Sequence, residues 1–403
     1  MEKTDYKEAI KILIDNIVPV GICTVGIDEM FGRILAEDII AKENVPSFSK
    51  SPYDGYAFRA CDTGKASKDN PVTFKVLECI KAGQAADMEV VQNTAIRLMT
   101  GAPIPVGADA VCKYEDTDFT DSEVKIGSIY KSGENIITEG EDIKKGTVLA
   151  KAGTKIDIGM LGTAASLGIN TIKVYKKPLA GIISTGDEIV NPGEELPYGK
   201  IRNSNSHTIS AALTLLGFDT VYLGHAGDTI EEITDLITKG EKNCDVIIST
   251  GGVSAGDYDL VPEAMEQKGY GILVKGVKMK PGMACAYGIK DDKFMLGLSG
   301  NPASSLVNLQ CICAPALRKL TGIAEYDNKL IKMEILGDLK KGSNGVRFIR
   351  GRVDLEEGKV VFRAPKEQGN IVISSVINCN AYGIIPKDRI PVFSGELIEG
   401  FLY

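Results

Sequence analysis

The sequence predicts a multidomain α/β-plus-β fold, with a doubly wound α/β domain at its centre, a β-rich inserted domain before it and a small β barrel or sandwich after it. Residues 177–323 alternate apolar β-branched runs with segments of helical period, the rhythm of a parallel sheet with crossover helices. Residues 48–135 carry short alternating runs broken by Gly and Pro, and residues 324–403 return to the same β texture. A chain of 403 residues exceeds one ordinary core; at roughly 100–200 residues per domain it divides into two to four.

In order along the chain, residues 4–17 place Tyr6, Ile10, Leu13, Ile14 and Ile17 on one helical face, with Thr4 as the expected N-cap. Residues 27–40 read as a second helix, or a helix with an extended exit. NVPSFSKSPYDGYAF is a loop entering a strand. VTFKVLECI, TAIRLM and DAVCKYED are strands of the inserted region. Residues 136–176 hold short strands, then a helix near 157–167, and close back on the N-terminal helices. The expected boundaries are therefore 1–47 with 136–176 for a discontinuous linker domain, 48–135, 177–323 and 324–403. Within 177–323, PLAGIIST, DTVYLGHAG, CDVIIST and KFMLGLSG are strands. SHTISAALTLLG, TIEEITDLITKGEK, LVPEAMEQKG and the long PASSLVNLQCICAPALRKLTG are helices, with Thr229 capping the second.

Composition narrows the function. A net charge of −8 gives no basic surface for non-specific nucleic-acid binding. Local cations and backbone N–H groups can still hold an anionic ligand. Nine cysteines without a C-x-x-C read as free thiols of a reducing cytoplasm. With only His207 and His225 in the chain, a His-built zinc site is not expected, and any metal should be a hard cation on carboxylates. No signal peptide and no apolar run of about 18 residues is visible, so no membrane span is expected. There is no P-loop, no complete G-x-G-x-x-G and no G-x-S-x-G elbow.

Three of the α/β strands run into similar loops. These are Ser184-Thr185-Gly186-Asp187-Glu188, then Ser249 to Asp259 with Gly251, Gly252, Ser254 and Gly256, then Ser299-Gly300-Asn301-Pro302. Ligands of open α/β sheets bind beyond the carboxyl ends of strands. Glycines there let N–H groups approach an oxyanion, and a following helix N-terminus favours negative charge. Three such loops on one sheet edge point to a pocket for a phosphorylated ligand, although ordinary βα turns use the same residues. Asp187, Glu188, Asp257 and Asp259 beside a phosphate suggest an intervening Mg²⁺, although each is also an ordinary turn acid or cap. Lys278 and Lys280 would share one side of a strand ahead of Pro281-Gly282 and could reach one anion; Arg202, Arg347 and Arg350 are further cations.

Taken together, SPYDGYAF (51–58), RLMTGAPIPVGADAV (97–111), EGEDIKKGTVL (139–149), STGDEI (184–189), IRNSN (201–205), STGGVSAGDYD (249–259), MKPG (279–282) and SGNPASS (299–305) resemble the MoeA family of molybdopterin molybdenumtransferases, to which the gephyrin C-terminal domain is related. The resemblance runs over nearly the whole chain. It implies a molybdopterin-binding type of α/β domain and an elongated homodimer in the cytoplasm. It also implies a transferase that inserts molybdate or tungstate into adenylylated molybdopterin with Mg²⁺ and releases AMP. The adenylyltransferase that makes the activated pterin is a further expected partner.

By motif, the resemblance assigns catalytic positions to Asp54, Thr100, Glu188, Asp228, Asp259, Lys280, Arg350 and Ser374. Glu188 and Asp259 are the expected Mg²⁺ ligands. Lys280 would neutralise pyrophosphate or molybdate, Asp228 would meet the adenylate ribose, and Asp54 and Thr100 would close the site from the partner chain. The three loops and Pro281-Gly282 would hold the pterin ligand. Three departures stand out: Tyr53 where the family has Met, Met283 where it has Lys after Pro-Gly, and Ser299 where it has Pro. The alternatives are a non-catalytic pterin carrier or scaffold, and an adenylyltransferase, which would read T-G-G-T-G where this chain has TGGVS.

Overall fold

The computed structural model describes residues 2–254 and 260–403, and the chain divides into two compact units. The first comprises residues 1–37, 152–156 and 172–403; the second comprises 38–151 and 157–171.

The heart of the first unit is a six-stranded sheet in the order Asp219–Ala226, Leu179–Thr185, Val246–Thr250, Lys293–Leu298, Cys285–Lys290, Gly271–Lys275. The first four strands are mutually parallel, and the last two join through antiparallel pairs, Cys285–Lys290 against Lys293–Leu298 and Gly271–Lys275 against Cys285–Lys290. Alternation along each strand loads both faces with apolar side chains. Ile182, Ile248 and Leu296 share one core with Ile209, Ala212 and Leu213 of the Asn205–Leu215 helix and with Ala9 and Leu13 of the Tyr6–Asn16 helix. Ile183, Ile247 and Met295 face the other way, onto Ile233 and Ile237 of the Ile230–Asn243 helix and Val261 and Ala264 of the Val261–Gln267 helix. Helices on both faces explain why these strands read as continuous apolar runs. The predicted doubly wound class is what forms, with an antiparallel edge.

Several local expectations change. The first helix is capped by Asp5, whose carboxylate accepts from the Lys7 N–H at 2.8 Å; Thr4 is engaged instead in a bridge to Val277. Residues 27–40 form one 3₁₀ turn, Ile27–Glu29, and no helix. Ile34 and Leu35 there are taken up in bridges to Lys155 and Val174, so long-range pairing overrides the helical period. The predicted long helix is two α segments, Pro302–Asn308 and Ala314–Leu320, joined by a π turn at Leu309–Cys313. Pro315 has no N–H for the Cys311 carbonyl, and the wider turn sits directly before it. Lys278 lies outside the two-residue strand Met279–Lys280, and its ammonium pairs with Glu2 at 2.8 Å, so it does not share an anion with Lys280.

After the α/β sheet, Val346–Glu356, Lys359–Arg363, Ile331–Leu336, Leu397–Leu402 and Ala381–Ile385 pair in that order, and the last pairs back to the first. This is a closed five-stranded barrel around Met333, Ile349, Phe362 and Ile398. Met279–Lys280 adds to it in parallel, with Met279 opposite Val346 and Lys280 opposite Arg347.

The second unit holds another six-stranded sheet, ordered Ala110–Lys113, Gly55–Phe58, Thr94–Leu98, Val72–Ile80, Glu123–Ile126, Thr117–Phe119. Tyr56, Phe58 and Phe74 pack one face, and Ala57, Ile96 and Leu98 the other. All nine cysteines are free. Among the described residues no helix is long and apolar enough to cross a membrane.

Thr229 caps the Ile230–Asn243 helix as expected, its hydroxyl accepting from the Glu232 N–H. Thr229→Ala should lower unfolding free energy by about 1 kcal/mol in urea titration; an unchanged midpoint would remove the cap from the account of this helix.

Candidate functional site

In the parallel ladder, Ser184 is level with Thr250, and Thr250 with Leu298. Three strands therefore end side by side and release their loops onto one edge, where the first unit has a cavity of ≈ 930 Å³. Ser184, Thr185, Gly186 and Glu188 line it from the first loop, Thr250 to Ser254 from the second, and Ser299 to Pro302 from the third. The loops brace one another. The Gly251 N–H donates to the Leu298 carbonyl at 2.9 Å, and the Gly186 N–H to that of Ala226 at 3.1 Å. Gly251 has φ +104°, and a methyl group there would meet Thr185 Oγ1 at 2.5 Å, so only glycine fits this approach.

The opposite wall comes from Lys280, Pro281, Gly282 and Met283. Lys280 is held by the barrel pairing, and the Pro281–Gly282 corner by buried Asn308, which donates to the Gly282 carbonyl at 2.8 Å and accepts from Tyr287 Oη at 2.6 Å. Asp228, following the Asp219–Ala226 strand, completes the rim. Asp187 is not on the wall; its carboxylate accepts from the Asp228 N–H at 3.3 Å and so positions that residue. Ser249 is fully buried inside its strand.

Other assigned residues lie elsewhere. Arg350 is 0% exposed inside the barrel strand, where it donates to the Gly369 carbonyl at 3.2 Å, and burial lowers its pKa. Asn370, which directly follows Gly369, is the residue that reaches the cavity. Ser374 sits in the Ile373–Val376 turn, off the lining. Gly256, Asp257 and Asp259 lie outside the described residues.

Sequence reasoning missed Asn203, Asn205, Ser304, Lys3 and Lys275, all of which line the cavity. Asn205 opens the Asn205–Leu215 helix, and its amide donates to the Gly300 carbonyl at 2.8 Å. Its Oδ1 and the Ser184 Oγ are buried without a protein partner, and an unpaired buried polar atom is costly unless a ligand or water meets it. The IRNSN motif was the available signal for the asparagines. The described lining carries four cations, Lys3, Arg202, Lys275 and Lys280, against two carboxylates, Glu188 and Asp228. With three loops of backbone N–H groups, that arrangement suits a polyanion.

Asp54 and Thr100 belong to the second unit and find each other there. The Thr100 N–H and hydroxyl both donate to Asp54 Oδ1, at 2.6 and 2.8 Å. The backbone bond, then the hydroxyl bond, hold the Asp54 carboxyl below its ordinary pKa. A depressed carboxyl contributes stability above its unfolded pKa and loses it as pH falls through the folded value. Thr100→Ala should raise the Asp54 pKa part of the way back, because the backbone donor remains; an unmoved carboxyl titration by NMR would contradict this.

Comparison with known proteins follows the same divisions. Residues 4–168 match the MoeA N-terminal region (domain I and II), residues 181–319 a probable molybdopterin binding domain, and residues 332–402 the MoeA C-terminal region (domain IV). The chain is 34% identical over 397 residues to the molybdopterin molybdenumtransferase of Staphylococcus epidermidis, covering 98% of this chain and 94% of that protein. It is 36% identical over 383 residues to the enzyme of the same name from Bacillus subtilis, covering 94% and 89%. The crystal structure of the molybdopterin biosynthesis MoeA protein from Pyrococcus horikoshii OT3 superimposes with a TM-score of 0.85 at 31% identity, with all of both chains covered. Similarity of this extent, in sequence and in fold, places the chain in the MoeA family.

Proposed function

We propose that the chain is a molybdopterin molybdenumtransferase of molybdenum cofactor biosynthesis, which takes adenylylated molybdopterin and molybdate or tungstate, inserts the metal into the dithiolene and releases AMP. The observation that carries this reading is the meeting of three strand-end loops in one cavity of ≈ 930 Å³, ample for a pterin joined to a nucleotide. Water adds across the phosphoanhydride: one P–O bond breaks, AMP leaves and the pterin keeps its own phosphate monoester; at the dithiolene two metal–sulfur bonds form as one oxo group of the oxyanion takes up the two thiol protons and leaves as water.

The residues divide that work. Backbone N–H groups at Gly252 and Gly300 cradle phosphate oxygens, Gly186 and Gly251 hold the loops in place through their own bonds to Ala226 and Leu298, and Ser184, Asn205 and Asn301 orient the ligand by hydrogen bonds. Lys280 offsets charge on the pyrophosphate or the oxyanion, and Asp228 meets the adenylate end. Hard carboxylate oxygens on the wall fit Mg²⁺, which takes one or two carboxylates and fills its shell with phosphate and water. Glu188 and Asp259, the second outside the described residues, would hold it, and when bound it supplies charge neutralisation of the anhydride. Molybdate and tungstate enter as substrates. The proposal extends to a homodimer in the cytoplasm, to a place for Asp54, Thr100, Arg350 and Ser374 in function, to the adenylyltransferase as a partner, and to the four-part division at 1–47 with 136–176, 48–135, 177–323 and 324–403.

Met283 favours a second reading, a carrier that binds the pterin without turnover. It stands uncharged and 41% exposed on the wall. AMP release from adenylylated molybdopterin, with Mg²⁺ and with or without molybdate, separates the two. Molybdate-dependent release is expected; ligand bound but never cleaved would establish the carrier instead.

Glu188→Gln should cut AMP release by about 10²–10³-fold at unchanged thermal midpoint, in line with removal of one electrostatic catalytic group. Retained turnover would take Glu188 out of the reaction.

A further inference from the structure

The four residues before the first helix form an arm that is fastened on both sides of Lys3. The Thr4 N–H donates to the Gly276 carbonyl at 3.0 Å, and the Lys278 N–H donates to the Thr4 carbonyl at 2.8 Å. Glu2 closes the other end on the Lys278 ammonium at 2.8 Å. Successive side chains of an extended segment alternate sides, so with the Glu2 carboxylate on Lys278 and the Thr4 backbone holding the arm, the Lys3 side chain falls on the side opposite Glu2, where it lines the cavity.

Gly276 makes room for it. Its φ is +81°, and a methyl group there would meet Lys3 Cγ at 3.2 Å and the Met283 carbonyl oxygen at 3.6 Å. The lysine stem therefore lies over the bare backbone of Gly276, beside the corner that carries the uncharged Met283. Among the described residues Lys3 has no carboxylate partner, unlike Lys278 next to it. The stem rests on Gly276 while the residue stays exposed on the cavity lining, so its unpaired charge is open to an anion from outside the chain.

We propose that Lys3 is a ligand-binding residue of this cavity, delivered by the N-terminal arm, whose ammonium contacts a tetrahedral oxyanion seated beside Gly276 and Met283. The oxyanion is either free molybdate or a phosphate of the adenylylated ligand. This rests on the transferase reading above.

The test is steady-state AMP release by full-length protein, with the KM for molybdate and the KM for adenylylated molybdopterin measured separately. Lys3→Gln should raise one of the two about tenfold and leave kcat within about twofold, the loss of one charge-assisted contact. A rise for molybdate places Lys3 on the free oxyanion; a rise for the adenylylated ligand places it on phosphate. Lys3→Arg should recover most of the affinity, Glu2→Gln should weaken it in the same direction by loosening the arm, and Lys11→Gln on the first helix should change nothing. Lys3→Gln with both KM values unchanged, in a wild type that turns over, overturns this inference alone. A drop in both kcat and thermal midpoint that Lys3→Arg does not restore reduces Lys3 to a structural role and also overturns it. A wild type without molybdate-dependent AMP release overturns the transferase reading and this inference together.

Discussion

The parallel register of three strands is the constraint on which the rest of the site depends. Leu179–Thr185, Val246–Thr250 and Lys293–Leu298 end level with one another, so three separate loops start within a few ångströms of the same edge. A slip of one residue would turn Ile182, Ile248 and Leu296 away from their helices and invert both cores. The two apolar faces thus specify the register, and the register brings Gly186, Gly251 and Gly300 to one cavity. Burial at the middle of the strands and chemistry at their ends are consequences of the same pairing.

The wall facing those loops is organised differently. Its residues come from a two-residue strand that the barrel captures, so Lys280 owes its position to Arg347, a residue 67 places later by number (347 − 280). Asn308, buried in the helix after the third loop, reaches back to the Gly282 carbonyl. The segment 279–282 is therefore held by the barrel at one end and by the helix after the third loop at the other. Charge is mixed on the loop side, where Arg202 on a strand paired with Ile189–Val190 accompanies the carboxylates Glu188 and Asp228, and is cationic on the opposing segment at Lys275 and Lys280 and on the arm at Lys3.

Strong, long periodicities were legible. The strands of 177–323 and the helices at Asn205–Leu215 and Ile230–Asn243 formed as the pattern required, because burial on two faces leaves few alternatives. The strand-end loops were legible too, since glycines and small polar residues mark where the chain turns sharply beyond a strand. Weaker patterns gave way to tertiary pairing. Residues 27–40 carry a helical rhythm, yet Ile34 and Leu35 are drawn into bridges with Lys155 and Val174. Lys278 reads like Lys280 in the sequence, but Glu2 claims it. Arg350 carries a charge that composition assigns to a surface, and the barrel buries it completely.

By itself, then, the sequence determined the α/β rhythm, the three glycine-bearing strand-end loops and the membership of the MoeA family, because each is written in local spacing or in motif order. Which strand lies beside which, whether the last domain closes as a barrel, and which lysines reach the cavity were decided by tertiary structure. Those outcomes depend on hydrogen bonds between residues far apart in the chain. Lys3 is the clearest instance: nothing around it in the sequence marks it for the cavity, and only the pairing of Thr4 with Gly276 and Lys278 carries it there.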